Sequence, residues 1–100
     1  MQGTDIQLDE KIVVKISEPR QWKVIILNDD TTPMDFVIIC LMSIFKHTED
    51  SAKEITLQVH ESGSGIAGIY SFEIAEAKAN EAVELSRANS FPLQIKLEEE

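Results

Sequence analysis

Apolar positions in this chain fall into runs whose ends are marked by short polar residues, glycine or proline. Val24, Ile25, Ile26 and Leu27 are consecutive and aliphatic, and they predict a buried strand that begins near Gln21. Asn28, Asp29 and Asp30 stop it, because their side chains bond to nearby backbone and favour turns. A helix is predicted from Pro33 to about Lys46, with Thr32 as its N-cap, Pro33 in the first helical position and Asp35 completing a capping-box-like start. Met34, Phe36, Val37, Ile38, Ile39, Cys40, Leu41, Met42, Ile44 and Phe45 leave that helix almost no polar face. A helix of this kind is buried on several sides, lines a pocket or meets a partner.

The pattern then restarts at Thr48, which suits an N-cap, followed by Glu49 and Asp50 where acids favour the helix dipole. Ala52, Ile55 and Val59 recur at helical spacing. Gly63 can take the left-handed conformation that ends the helix, which places His60 in its last turn. Gly65 to Tyr70 reads as a short strand, and small residues at Ala67 and Gly68 allow a neighbour to approach closely. Ser71 caps a third predicted helix from Phe72 to Ala88, rich in good helix formers, and Asn89-Ser90 stops it. Leu93 to Leu97 alternates strictly, so the last strand has one buried and one solvated face.

The predicted order, β-α-α-β-α-β, gives an α+β fold: a single domain with a three-stranded antiparallel sheet packed against three helices. Residues 1–20 read as a flexible N-terminal extension, 21–97 as the core domain and 98–100 as a solvated acidic tail. The apolar run Ile12 to Ile16 in the extension either pairs as an edge strand, touches a partner or belongs to a plain flexible leader.

Composition narrows the function classes. A net charge of −9 argues against binding to nucleic-acid phosphates or to an anionic membrane surface, and favours a cationic partner or ligand. The sequence has one cysteine, Cys40, so no internal disulfide can form, which suits a reducing compartment. The N-terminus lacks the pattern of a secretion signal, and no apolar run is long enough to span a membrane. A soluble intracellular protein is expected.

Catalysis finds no support. His47 and His60 lack the i, i+4 spacing of a zinc-binding helix, Gly63-Ser64-Gly65 lacks the lysine of a phosphate loop, and no nucleophile stands beside a base. No metal or cofactor is expected. Recognition of an amine fits better: Asp29 offers charge-assisted acceptors, Asn28 a carbonyl and a neutral His60 a ring lone pair, with Met34, Val37 and Val59 as an apolar lining. A protein N-terminus has that chemistry. Taken alone, however, Asn28-Asp29-Asp30 reads more readily as a plain turn.

Three separated motifs carry a family resemblance: Trp22-Lys23-Val24 leading to Asn28-Asp29-Asp30-x-Thr32-Pro33-Met34-Asp35-Phe36-Val37, then Val59-His60, then Gly68-x-x-x-x-Glu73-Ile74-Ala75-Glu76-x-Lys78. Over about Gln21 to Leu97 the chain resembles the ClpS adaptors, bacterial recognition proteins that deliver substrates to a ClpAP-type protease. The resemblance implies that Asn28, Asp29 and His60 hold the free α-amino group of a substrate carrying an N-degron, a destabilising N-terminal residue. Thr32, Met34, Val37, Thr56, Val59 and Leu93 would surround its first side chain. It further implies that Glu73 and Lys78 dock on the N-terminal domain of a ClpA-type or ClpC-type AAA+ unfoldase. A monomer in the bacterial cytoplasm is expected, with the plastid stroma as second choice. Thr56 stands where many members have methionine and Thr31 where tyrosine is common, which should alter the pocket's volume and polarity. The other reading is a regulatory module that docks on the unfoldase and redirects other substrates without binding an N-degron.

Overall fold

The structure, a computed structural model, describes residues 20–100. The expected extension over residues 1–20, with its run Ile12 to Ile16, thus lies outside the described residues except for Arg20. Strand β1 (Gln21–Leu27) is followed by α1 (Met34–Ser43), α2 (Glu49–Ser62), β2 (Ser64–Ser71), α3 (Phe72–Ala88) and β3 (Gln94–Glu99). The predicted α+β order is present. Strand β1 lies in the centre of the sheet, antiparallel to β2 on one side and β3 on the other.

That central place explains the unbroken run in β1: Val24 and Ile26 are fully buried and Ile25 nearly so. Val24 and Ile26 join Phe36, Val37, Cys40, Leu41, Val59, Ala75, Ala79, Ala82 and Leu93 in one core. Helix α3 lies against all three strands, α2 packs on β2, and α1 packs on α2. The small residues of β2 serve this packing. A Cβ on Gly65 would stand 2.8 Å from Cγ2 of Val59 and 3.4 Å from the carbonyl oxygen of Ile55, a backbone atom that cannot swing away. Replacement Gly65→Ala is therefore expected to lower unfolding free energy by about 1–3 kcal/mol, read from the urea midpoint, as overpacking does in a filled core.

Local signals set most boundaries. Thr48 accepts the amide of Ser51 at 3.2 Å, and Gly63 closes α2 at φ 94°. Helix α3 has the predicted limits, although the Ser71 side chain makes no capping bond. Three expectations need correction. Helix α1 starts after Pro33 rather than at it, and Thr32 does not cap it; the Pro33 carbonyl accepts the amides of Phe36 and Val37 instead. The helix also ends at Ser43, before Lys46, which turns left-handed at φ 61°. Met34, Ile39 and Met42 on it are substantially exposed, which stays within the alternatives that its apolar pattern allows.

The third correction concerns the C-terminal glutamates. Glu98 and Glu99 belong to β3 rather than to a solvated tail, paired with Lys23 and Trp22 of β1. Cations on and just before the facing strand lie close to these carboxylates. The Lys23 ammonium lies 3.6 Å from Glu98, and Arg20 donates a hydrogen bond to Glu99.

Candidate functional site

The antiparallel order brings the end of β1, the start of β2 and the start of β3 to one end of the sheet. Leu27 pairs with Ser64 and with Gln94, so Asn28 follows the sheet edge beside Leu93 and the turn at Gly63. The Asn28 amide donates to the Gly63 carbonyl at 2.9 Å. This bond ties the acidic turn to the C-terminus of α2, which carries His60. Asn28 and His60 are exposed, and among the described residues neither side chain has a hydrogen-bonding partner. Both are open to a ligand.

Asp29 organises the turn. Its Oδ1 accepts the amides of Thr31 at 2.8 Å and Thr32 at 2.6 Å, while Oδ2 accepts the Thr32 hydroxyl at 2.9 Å. The Thr32 hydroxyl thus donates to the carboxylate, and because the helix begins after Pro33 it stands one residue too early to cap it. Each carboxylate oxygen can accept more than one hydrogen bond, so Oδ2 retains capacity for an ammonium donor. Desolvation pushes the Asp29 pKa up, but the Thr32 and Thr31 amides, the Thr32 hydroxyl and the charge of Arg87 outweigh it and hold the carboxyl below its ordinary value.

A depressed carboxyl binds protons less readily in the folded state. Its stabilising contribution is thus complete above the unfolded value of 3.8 and fades as pH falls through the lower folded value. Asp29→Asn is expected to be less stable than the wild type near pH 7 and to converge with it in strong acid. Urea midpoints across that range check the convergence.

The apolar side is built from three elements. Val37 of α1, Val59 of α2 and Leu93 before β3 are almost wholly buried in the same core cluster, and Met34, the first residue of α1, is 40% exposed. Thr32 is half-buried and bonded to Asp29. Thr56 is buried one turn before His60, and its hydroxyl donates to the Ala52 carbonyl at 2.7 Å. The Thr56 hydroxyl is thus satisfied within its own helix. The site thus joins polar acceptors to a nonpolar wall. The C-terminal end of α2, with its partial negative charge, further favours a cation there.

Residues that sequence reasoning did not single out hold the segment that carries Leu93. Ser86, fully buried, donates to the Phe91 carbonyl at 2.9 Å and accepts the Leu93 amide at 3.3 Å. The Arg87 guanidinium donates to the carbonyls of Phe91 at 3.0 Å and Leu93 at 2.9 Å. Phe91 packs edge-on against Phe36 of α1, with ring centroids 4.9 Å apart. An arginine in the last turn of a helix is the sequence signal that points here, although it does not name the distant acceptors.

Comparison with known proteins places the arrangement. Residues 17–96 match the family model described as "ATP-dependent Clp protease adaptor protein ClpS". The chain belongs to the ClpS family. The ClpS adapter of Bdellovibrio bacteriovorus is 48% identical over 90 residues, covering 90% of this chain and 79% of the relative. That of Campylobacter jejuni is 50% identical over 86 residues, covering 86% and 90% respectively. Among solved structures, Agrobacterium tumefaciens ClpS2 bound to L-phenylalaninamide superposes with a TM-score of 0.80 at 37% identity, covering 83% of this chain and 100% of the other. As a ClpS protein the chain is a Clp protease adaptor and not an enzyme.

The chemistry of the ClpS chain agrees with a binding role. Burial pushes the Cys40 thiol up to about 11, so it does not supply a thiolate at neutral pH. His47 is engaged in structure, with Nδ1 3.0 Å from the Ser51 hydroxyl and Nε2 2.6 Å from the Ala67 carbonyl; that carbonyl can only accept, so Nε2 carries the proton. No described helix is long and apolar enough to cross a membrane. Glu73 is exposed in the first turn of α3, whereas Lys78 is half-buried. The Lys78 ammonium donates to the Ile44 carbonyl at 2.8 Å and lies 5.4 Å from the centre of the Tyr70 ring. Lys78 thereby fastens α3 to the end of α1.

Proposed function

We propose that this ClpS chain binds proteins bearing N-degrons through a free α-amino group and a bulky hydrophobic first residue, and delivers them to a AAA+ unfoldase of the ClpA or ClpC type. Asn28, Asp29 and His60 receive the ammonium. Thr32, Met34, Val37, Thr56, Val59 and Leu93 surround the first side chain, and Glu73 and Lys78 contribute the docking face on the unfoldase N-terminal domain. The observation that carries this reading is the Asn28–Gly63 bond, which joins the acidic turn to the helix bearing His60 beside the wall of Val37, Val59 and Leu93.

The ligand of the Agrobacterium relative gives support, because L-phenylalaninamide presents a free α-amine next to an aromatic side chain. An ammonium has three donors, and the turn, the amide and the imidazole are acceptors of suitable kind. The protein acts as a monomer in the bacterial cytoplasm on this reading. A panel of peptides differing only at residue one, titrated against the full chain, tests it. Affinity should rank Phe, Leu, Tyr and Trp above Ala, Ser, Lys and Glu; uniform affinity across the panel would rule out a first-residue pocket.

A further inference from the structure

The segment between α3 and β3 is fastened unusually closely to two successive residues. Ser90, left-handed at φ 65°, donates its amide to the Arg87 carbonyl at 3.0 Å, and Phe91 donates to the Ser86 carbonyl at 2.9 Å. The Ser86 hydroxyl and the Arg87 guanidinium then take the Phe91 carbonyl, the Leu93 amide and the Leu93 carbonyl. An arginine acting merely as a helix cap would bond the last carbonyls of its own helix. Arg87 reaches past the helix instead, while the Leu85 carbonyl is taken by the Asn89 side chain at 2.9 Å.

We infer that Arg87 is a positioning residue for first-residue selectivity: with Ser86 it fixes the Phe91–Leu93 segment so that Leu93 presents an immobile wall to the incoming side chain. The inference rests on the amine-and-pocket reading given above. Leu93 is 1% exposed and shares the cluster of Val37 and Val59, and Phe91 on the same segment is braced by Phe36. A wall held this way discriminates by shape, because an ill-fitting side chain cannot be accommodated by a shift of the backbone. The charge of Arg87 would by itself oppose an ammonium. That charge also helps keep Asp29 ionised, an effect common to every free-amine peptide, so the service of Arg87 to first-residue selectivity is geometric.

Arg87→Met keeps much of the aliphatic stem and removes every donor, and Arg87 is exposed, so the fold should survive. The wild type and variant are titrated with peptides starting in Phe, Leu and Ala, and with the acetylated Phe peptide. In the variant, the ratio of Phe to Ala affinity is expected to narrow roughly fivefold, the order set by losing a pair of hydrogen bonds that hold a pocket wall. The ratio of free to acetylated Phe peptide should not fall. Arg87→Lys, which retains a charge and a shorter donor arm, should lie between the two. An unchanged Phe-to-Ala ratio, or an equal loss for every peptide, would overturn the positioning role while leaving the pocket intact. A wild type that does not distinguish Phe from Ala would remove the pocket itself. Urea midpoints of both variants accompany the titrations, and if Arg87→Met does not fold, the Arg87→Lys ratio decides alone by narrowing or by staying fixed.

Discussion

A peptide with an N-terminal phenylalanine should lose affinity by ~100-fold or more when its α-amine is acetylated, with every other residue unchanged. Acetylation removes the positive charge, leaves one amide donor in place of three and adds bulk next to Asn28. Asp29 is then covered by ligand without a cation to replace its water. Its carboxyl is held ionised by the surrounding turn, so it cannot escape that cost by taking up a proton at neutral pH. Anisotropy titrations with a matched pair of labelled peptides measure the difference. Equal affinities would mean that the amine is not what the turn recognises.

The second large effect is expected from Asp29→Ala, which should abolish measurable peptide binding and leave unfoldase docking intact. Alanine removes both the acceptor and the anchor of the turn, since the Thr31 and Thr32 amides and the Thr32 hydroxyl all lose their partner. Loss of one member of a covered charge pair costs about 2–5 kcal/mol, or roughly 30-fold to several thousand-fold in affinity. Asp29→Asn separates the two roles, because an amide oxygen can still accept the turn amides while the charge is gone. It should bind more weakly than the wild type and more tightly than Asp29→Ala. Docking on a purified unfoldase N-terminal domain is measured in parallel. If Asp29→Ala binds peptide normally, or if it loses docking together with binding, the proposed division of the surface fails.

Much of the fold is legible in the sequence because its decisive signals are local. Thr48 with its acidic followers, the terminating Gly63 and the alternating residues of β3 each determine their element from a few neighbours. Where the reading misses, two groups compete or a partner is remote in sequence. Thr32 is a sound N-cap by type, yet Pro33 beside it holds the cap position and the helix starts at Met34, while the Thr32 hydroxyl donates to Asp29. Glu98 and Glu99 look like a tail until Lys23 and Arg20 are placed across from them. The site follows the same rule. Its residue types are visible, and the resemblance supplies their roles, but the Asn28–Gly63 bond and the fastening of Leu93 by Ser86 and Arg87 arise only when distant segments meet.

The central strand has one more consequence. Asn28 follows its last residue, whereas Ser71, immediately before α3 and Glu73, pairs with its first, Gln21. A strand of this length separates the two ends by roughly 20 Å at about 3.3 Å per residue. On the proposed reading, cargo and unfoldase occupy opposite ends of one rigid rod and share no side chain, so their free energies should add. A loaded adaptor and an empty one would then compete on equal terms for the same docking place. The flow of substrate would be governed by the fraction of adaptors carrying cargo, rather than by any preference of the machine for a filled one.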